Sequence, residues 1–530
     1  MSQRFWYAAV LLPAVILVRP SFAQEHAHGP AKGEQLGKVT FPTTCQGEAP
    51  QRFERAVALL HSFWFEEADR AFTSVSEADP QCAMAHWGIA MTMLANPMTR
   101  TAPPPALFQR GLAAVERAQQ LAGGASPREQ LWIEAVAAVY RDHQTKDHRS
   151  RMLAQEEAFR ALRAAHPEDL EASIFYARTL VANSPPTDRS FAKNLEAANI
   201  LEPLFRQHPE HPGLAHYLIH AYDAPPIAKR GLDAARRYAS IAPAAPHALH
   251  MPSHIFTRVG AWDESIETNR RSAKIEDSPG QAAHPMDYMV YGLLQQGRDR
   301  EAKEFVDQAV GLPDRFYGGI IGYNAAAMPA RFALERNRWE DAARLPLPTG
   351  ALPQVEALTR FARAIGAARS GQPELARREV VALGELEEKL KAADPEWAVR
   401  VGAQRLAAAA WLAHAEGQHT DALRLGREAA DLEETVEKHP VTPGPLLPAR
   451  ELYGDLLLAH RQPKEALAEY EKTLERDPNR ARAISGAAQA AELAPDPASA
   501  RKHYTELARL MEKADPERAE AARARAFTRP

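Results

Sequence analysis

Cysteine is nearly absent: Cys45 and Cys82 are the only two in 530 residues. Two thiols cannot build a multi-cysteine zinc module or a disulfide framework. Both lie in the first folded segment, so in an oxidising compartment they are expected to pair with each other. Charge of one sign is missing too. A net charge of −4 with 25% charged residues gives no basic stripe, and nucleic acid is not an expected partner. Long hydrophobic runs are limited to Phe5 to Val18, interrupted by Pro13. No later segment reaches the roughly 20 apolar residues of a membrane span. Alternating β-branched runs, which would mark half-buried strands, are almost absent. So are His-Glu-x-x-His, a phosphate-binding Gly-rich loop, Gly-x-Ser-x-Gly and Cys-x-x-Cys. No catalytic signature therefore speaks for an enzyme.

What is present begins with MSQRFWYAAVLLPAVILVRPSFAQ: a basic residue, a short apolar stretch, then small residues before Gln24. This is the pattern of a secretory signal over residues 1–23, cleaved after Ala23, and predicts an exported protein, periplasmic or secreted. Gln24 is not a cysteine, so no lipid anchor is signalled. Cleavage would leave Gln24, Glu25 and His26 at the terminus, followed by His28, a weak square-planar motif for Cu²⁺ or Ni²⁺. Residues 24–44 are rich in Gly, Pro, Lys and His without apolar periodicity, and read as a mobile leader.

From there on, apolar residues recur at three- and four-residue spacing, with Pro or Gly at helix-length intervals. The predicted class is all-α. In "ARELYGDLLLAHRQPKEALAEYEKTLERDP", Gly454, Leu457, Ala466, Tyr470 and Pro478 fall at spaced positions of one helix–turn–helix unit. That unit resembles the tetratricopeptide repeat. The same shape recurs around Ala68, Phe72 and Pro80, around Gly260, Trp262 and Ser265, and around Gly297 and Ala302. The resemblance implies a right-handed α-solenoid with a concave inner surface. The expected layout is a first solenoid half over 45–310, an irregular connection over 311–355 and a second half over 356–530. A tighter proline-rich linker is expected at 439–448. The segments "LLHSFWFEEA", "HPGLAHYLIHAYDAP", "HALHMPSHIFTRVGAWDESI" and "VTPGPLLPARE" are also similar to a group of exported bacterial repeat proteins without a settled activity.

The repeat register makes two histidine-rich stretches informative. With Gly260 as the turn residue, His250 and His254 fall at positions 5 and 9 of a first helix, and His216 and His220 stand 34 residues earlier at the same positions. In tetratricopeptide proteins positions 2, 5, 9, 12 and 13 face the concave groove and contact ligand. Asp223 and Thr257 fall at position 12, Arg258 at 13, His247 and His284 at 2, Asp287 at 5 and Tyr291 at 9; His61 lies near position 13 of the first repeat. Residues four apart on a helix share a face, and packed helices lie 8–10 Å apart. The four imidazoles of His216, His220, His250 and His254 can therefore converge on one point. Neutral imidazole suits Zn, Cu, Fe or Ni, with Asp223 or Asp287 completing or orienting the set. The alternatives are a groove in which His247, Thr257, Arg258, His284 and Tyr291 hydrogen-bond a small ligand or a peptide or protein partner, and plain interhelical packing. The expected function is accordingly an exported binding or scaffold protein with a histidine-rich groove. Its alternative is a metalloprotein, enzyme or metal-handling factor, that uses the same histidines.

Overall fold

A computed structural model describes residues 34–529, apart from 277 and 320. The predicted signal and the His26 motif lie outside the described residues. Among those described, every regular element is an α-helix or a short 3-10 turn. None of the helices is long and apolar enough to cross a membrane. Proline, at 41 residues, is reconciled with this helix content by position. Pro212, Pro246, Pro279, Pro353, Pro373, Pro395, Pro463 and Pro497 each open a helix, where the missing N–H has no helical partner to lose.

Residues from Gln35 onward form one compact unit. Successive helices pack as antiparallel hairpins, and hairpins stack on hairpins through alanine-rich faces. The first helices of successive hairpins, among them Pro212–Tyr222, Pro279–Gln295, Ile321–Glu335, Pro353–Arg369, Pro395–Ala415 and Ala449–Ala459, form the inner layer. The all-α helical stack expected from the repeats is the observed architecture.

Three departures from expectation have physical reasons. Residues 35–44 do not form a mobile leader. Phe41 is buried against Phe53, Trp87 and Trp132, and the Lys38 N–H donates to the Glu210 carbonyl. One aromatic side chain anchors a stretch whose composition reads as solvated. The Gly- and Pro-rich stretch 311–355 carries a further packed helix, Ile321–Glu335, on which the core clusters from both sides meet. The proline-rich run after Glu433, which includes the linker expected at 439–448, is packed rather than solvated. Val441, Thr442, Leu446 and Leu447 are buried, and the run crosses the inner face of the stack as a strap. Its backbone carbonyls are taken by side chains of the inner layer: Asn324 Nδ2 donates to Val441 O at 2.8 Å, and Arg331 Nη1 to Pro445 O at 2.9 Å. Those bonds satisfy polar groups that would otherwise make burial of irregular backbone costly.

The stack also closes on itself. The Trp262 indole donates to Asn479 O at 2.9 Å, Asn479 Nδ2 donates to Gly260 O at 3.1 Å, and Arg100 pairs with Glu396 at 2.8 Å. Gly260 is at φ +69°, and a Cβ there would lie 2.2 Å from the Pro478 carbonyl oxygen. Gly260→Ala is expected to lower stability by about 1–3 kcal/mol, the cost of a left-handed non-glycine residue, and to loosen the closure. Urea denaturation together with amide exchange at residues 479–481 measures both. Cys45 and Cys82 are disulfide-bonded, with Cα atoms 4.9 Å apart across a separation of 37 residues. Reduction is expected to cost about 2–4 kcal/mol by releasing that loop in the unfolded chain, read as the difference between denaturation curves with and without dithiothreitol.

Candidate functional site

The histidines of the inner face come from three successive first helices. Pro212–Tyr222 carries His216 and His220, and Pro279–Gln295 carries His284. Between them, residues 246–259 form a helix interrupted at Pro252, with His247 and His250 before the interruption and His254 after it. Pro252 has no N–H to give to the turn above it, and the His254 N–H instead reaches Met251 O at 3.1 Å.

The four histidines expected to converge on one point do not. They divide between two clusters, each completed by the position-2 histidine of the next repeat. Ring nitrogens of His216, His220 and His247 lie within 4.8 Å of one another, as do those of His250, His254 and His284. The clusters are repeats of each other and adjacent: the rings of His220 and His254 are 6.0 Å apart, and those of His247 and His250 6.1 Å. The division follows from packing. The position-2 ring of the following helix reaches the 5/9 pair before it before that following repeat's own 5/9 pair can.

Hydrogen bonds fix the tautomers in the second cluster. Asn269 donates through Nδ2 to Ser265 O at 2.7 Å, which turns its Oδ1 toward His250. His250 therefore donates from Nδ1 to Asn269 Oδ1 at 2.7 Å. His254 donates from Nδ1 to Asp223 Oδ2 at 2.9 Å. With both Nδ1 atoms carrying the proton, the neutral rings turn bare Nε2 lone pairs on each other at 3.1 Å. The Tyr288 hydroxyl lies 3.1 Å from Thr442 O and 3.4 Å from His254 Nε2, both acceptors for its single proton. In the first cluster, His216 Nδ1 donates to His61 O at 2.5 Å, a carbonyl left unused at the end of helix Ala49–His61. Its Nε2 faces His247 Nε2 at 3.2 Å, and His220 Nε2 is buried without a partner. Two nitrogens of one tetrahedral ion, each 2.0–2.1 Å from it, stand about 3.3 Å apart. Both facing pairs have close to that separation.

Protonation does not relieve the repulsion. Burial, reinforced by neighbouring histidines, holds His216, His220, His247 and His250 well below the usual imidazole range. Burial also lowers His254 against the opposing pull of Asp223, and brings His284 down to about 3. Asp223 itself stays charged. Burial opposes its ionisation, but Lys438, Arg258 and the His254 hydrogen bond hold its carboxyl well below the usual range.

The remaining predicted residues separate from the histidine row. Arg258 pairs internally with Asp223 Oδ1 at 2.8 Å and with Glu437 at 3.3 Å. Asp287 is buried beside Arg331 Nε at 3.2 Å and Asn324 at 3.3 Å, an ion pair rather than a seventh donor. Tyr291 accepts from Arg480 Nη1 at 3.1 Å, and Thr257 meets Ser265 at 3.3 Å. His61 and His211 both bond the buried Glu171, each at 2.9 Å. Burial works against that charge, yet attraction and hydrogen bonds from the two histidines hold the Glu171 carboxyl down to about 2. Sequence register missed Asn269, Tyr288 and Lys438. The first two sit outside the consensus groove positions, and the third arrives on the strap. Phe63 walls the first cluster, stacking on His247 at 5.3 Å and meeting His216 edge-on at 4.4 Å.

Fold and site together describe a helical-repeat protein with a paired histidine centre on its inner face. No family model and no curated protein matches the chain. Among solved structures, yeast Tom70 is similar with a TM-score of 0.28 and 12% identity, over 91% of this chain and 94% of that one. The APC/C hetero-tetramer Cut9-Hcn1 is similar with a TM-score of 0.29 and 12% identity, over 92% and 97%. Likeness at that level adds nothing about the site.

The neutral, buried rings set a pH dependence for the metal-free protein. Unfolding releases histidines that take up protons below about pH 6.5, whereas the folded rings do so only at lower pH. Their stabilisation is thus complete above pH 6.5 and is lost as pH falls below it, by up to about 1.4 kcal/mol per pH unit for each ring. Urea midpoints are expected to fall steeply from pH 7.5 to 5. The slope should be shallower in His250→Gln/His254→Gln, and a flat wild-type profile would refute the neutral-ring assignment.

Proposed function

We propose that this chain is a helical-repeat binding protein whose inner face carries two adjacent three-histidine transition-metal centres, His216/His220/His247 and His250/His254/His284. The observation that carries the proposal is the facing Nε2 pair of His250 and His254, both of whose other nitrogens are committed as donors. A buried lone-pair contact of this kind is repulsive between neutral rings and favourable around a cation. Imidazole donors suit Zn, Cu, Fe or Ni. Three protein donors leave a coordination position open, as in zinc sites that bind water or substrate. The two centres adjoin, with rings of one 6.0 and 6.1 Å from rings of the other. Asn269, Asp223 and the His61 carbonyl serve as the outer partners that fix ring orientation.

A peptide in the groove is less favoured, because the strap already crosses it and Lys438 bonds Asp223 at 3.1 Å. Protein partners would instead meet the exposed faces of the stack, which repeat architectures use for association. The proposal also places the protein outside the cytoplasm. Residues 1–23 read as a secretory signal, and a structural disulfide such as Cys45–Cys82 persists in oxidising compartments.

Untagged protein, purified and washed with chelator to strip exposed ions, should retain about two transition-metal ions per chain on elemental analysis. His250→Ala/His254→Ala and His216→Ala/His220→Ala should each lose one. Wild type that holds no stoichiometric metal, even after reconstitution with Zn²⁺ and Cu²⁺ in turn, would overturn the proposal.

A further inference from the structure

A third group of histidines lies far along the chain from the inner row. His414 is the penultimate residue of helix Pro395–Ala415, His419 opens helix His419–Glu433, and His460 caps the end of helix Ala449–Ala459. The turn between the first two, with Gly417 at φ +75°, doubles the chain back and brings His419 level with His414. The next hairpin's first helix ends at the same height and delivers His460. One ring nitrogen from each lies within 4.8 Å of the other two. His414 Nδ1 and His460 Nε2 are 3.1 Å apart, and the His419 and His460 rings 4.8 Å. His419 is exposed and the other two are half-buried, so the group opens to solvent, unlike the inner pair.

We propose that His414, His419 and His460 form a solvent-facing site for an exchangeable divalent late transition ion, separate from the inner centres. Two further features favour a cation there. Among the described residues, these rings form hydrogen bonds only with one another, so their nitrogens are not committed elsewhere. Helices Pro395–Ala415 and Ala449–Ala459 both end at the group and helix His419–Glu433 begins there, so the partial negative charges of two C-termini outnumber the partial positive charge of one N-terminus. Three imidazoles leave the remaining coordination positions to water, a geometry suited to Zn²⁺, Cu²⁺ or Ni²⁺ that enters and leaves without opening the fold.

The test is equilibrium dialysis of untagged, full-length protein against Zn²⁺, repeated with Co²⁺, whose visible spectrum reports imidazole coordination. Wild type should bind one more ion than His414→Ala/His460→Ala. His216→Ala/His250→Ala, which removes inner ligands only, should keep the exposed ion. The single variant His419→Ala, at an exposed position, should weaken that ion's binding by about 10-fold or more. Equal stoichiometry in wild type and His414→Ala/His460→Ala, with both folded by circular dichroism, would overturn the proposal whatever the inner centres hold. Loss of the inner ions alone would overturn the function proposed above and leave this site standing.

Discussion

Asp223 is the point on which the inner architecture depends. Its carboxylate accepts from His254 Nδ1, Arg258 Nε and Lys438 Nζ, and so ties one repeat's helix end, the next repeat's first helix and the strap into one buried knot. A carboxylate out of water is tolerable only when its lone pairs are taken up and its charge is matched. Here the matching charges come from groups with little other reason to be inside. Arg258 is held also by Glu437, which reaches Arg476 and Arg189 in turn, so the knot extends from the turn after helix Leu170–Ala182 to the end of helix Pro463–Arg476.

The same knot makes chemistry available. By accepting the Nδ1 proton of His254 it settles which nitrogen of that ring is bare, and Asn269 does the same for His250. The His61 carbonyl repeats the device one step earlier in the stack for His216. Orientation of each ring thus comes from a different partner in each repeat, although the rings themselves follow the repeat. The strap then closes the inner face with its carbonyls directed at Tyr288, Asn324 and Arg331. What would be an open concave groove in a simple stack is covered by the strap, and the histidines sit in a largely buried, electron-rich interior, where interactions with a cation are strong.

Much of this was legible along the chain, in a particular way. The step of 34 residues from His216 to His250 and from His220 to His254 fixed which face of each helix these rings occupy, because angular position about a helix axis follows from residue number. The turn glycines placed His247 and His284 at a shared position as well. Grouping was not legible. Whether four rings meet at one point or six at two depends on the offset and twist between neighbouring helices, which side-chain volumes set and register does not. The exposed trio stayed hidden for a related reason: His414, His419 and His460 share no repeat position, and only the turn at Gly417 and the height of the next hairpin bring them together.

The sequence by itself therefore determined the helical class, the hairpin unit, the inward-facing histidines and the cysteine pair open to oxidation, since each rests on periodicity or composition within tens of residues. The tertiary structure decided the two three-ring clusters, the burial of residues 35–44 and of the strap, and the withdrawal of Arg258 and Asp287 into ion pairs. Each of those depends on groups far apart in the chain, such as Lys438 with Asp223, or Phe41 with Trp132. Local pattern specifies which face of a helix is presented; only long-range packing specifies what that face meets.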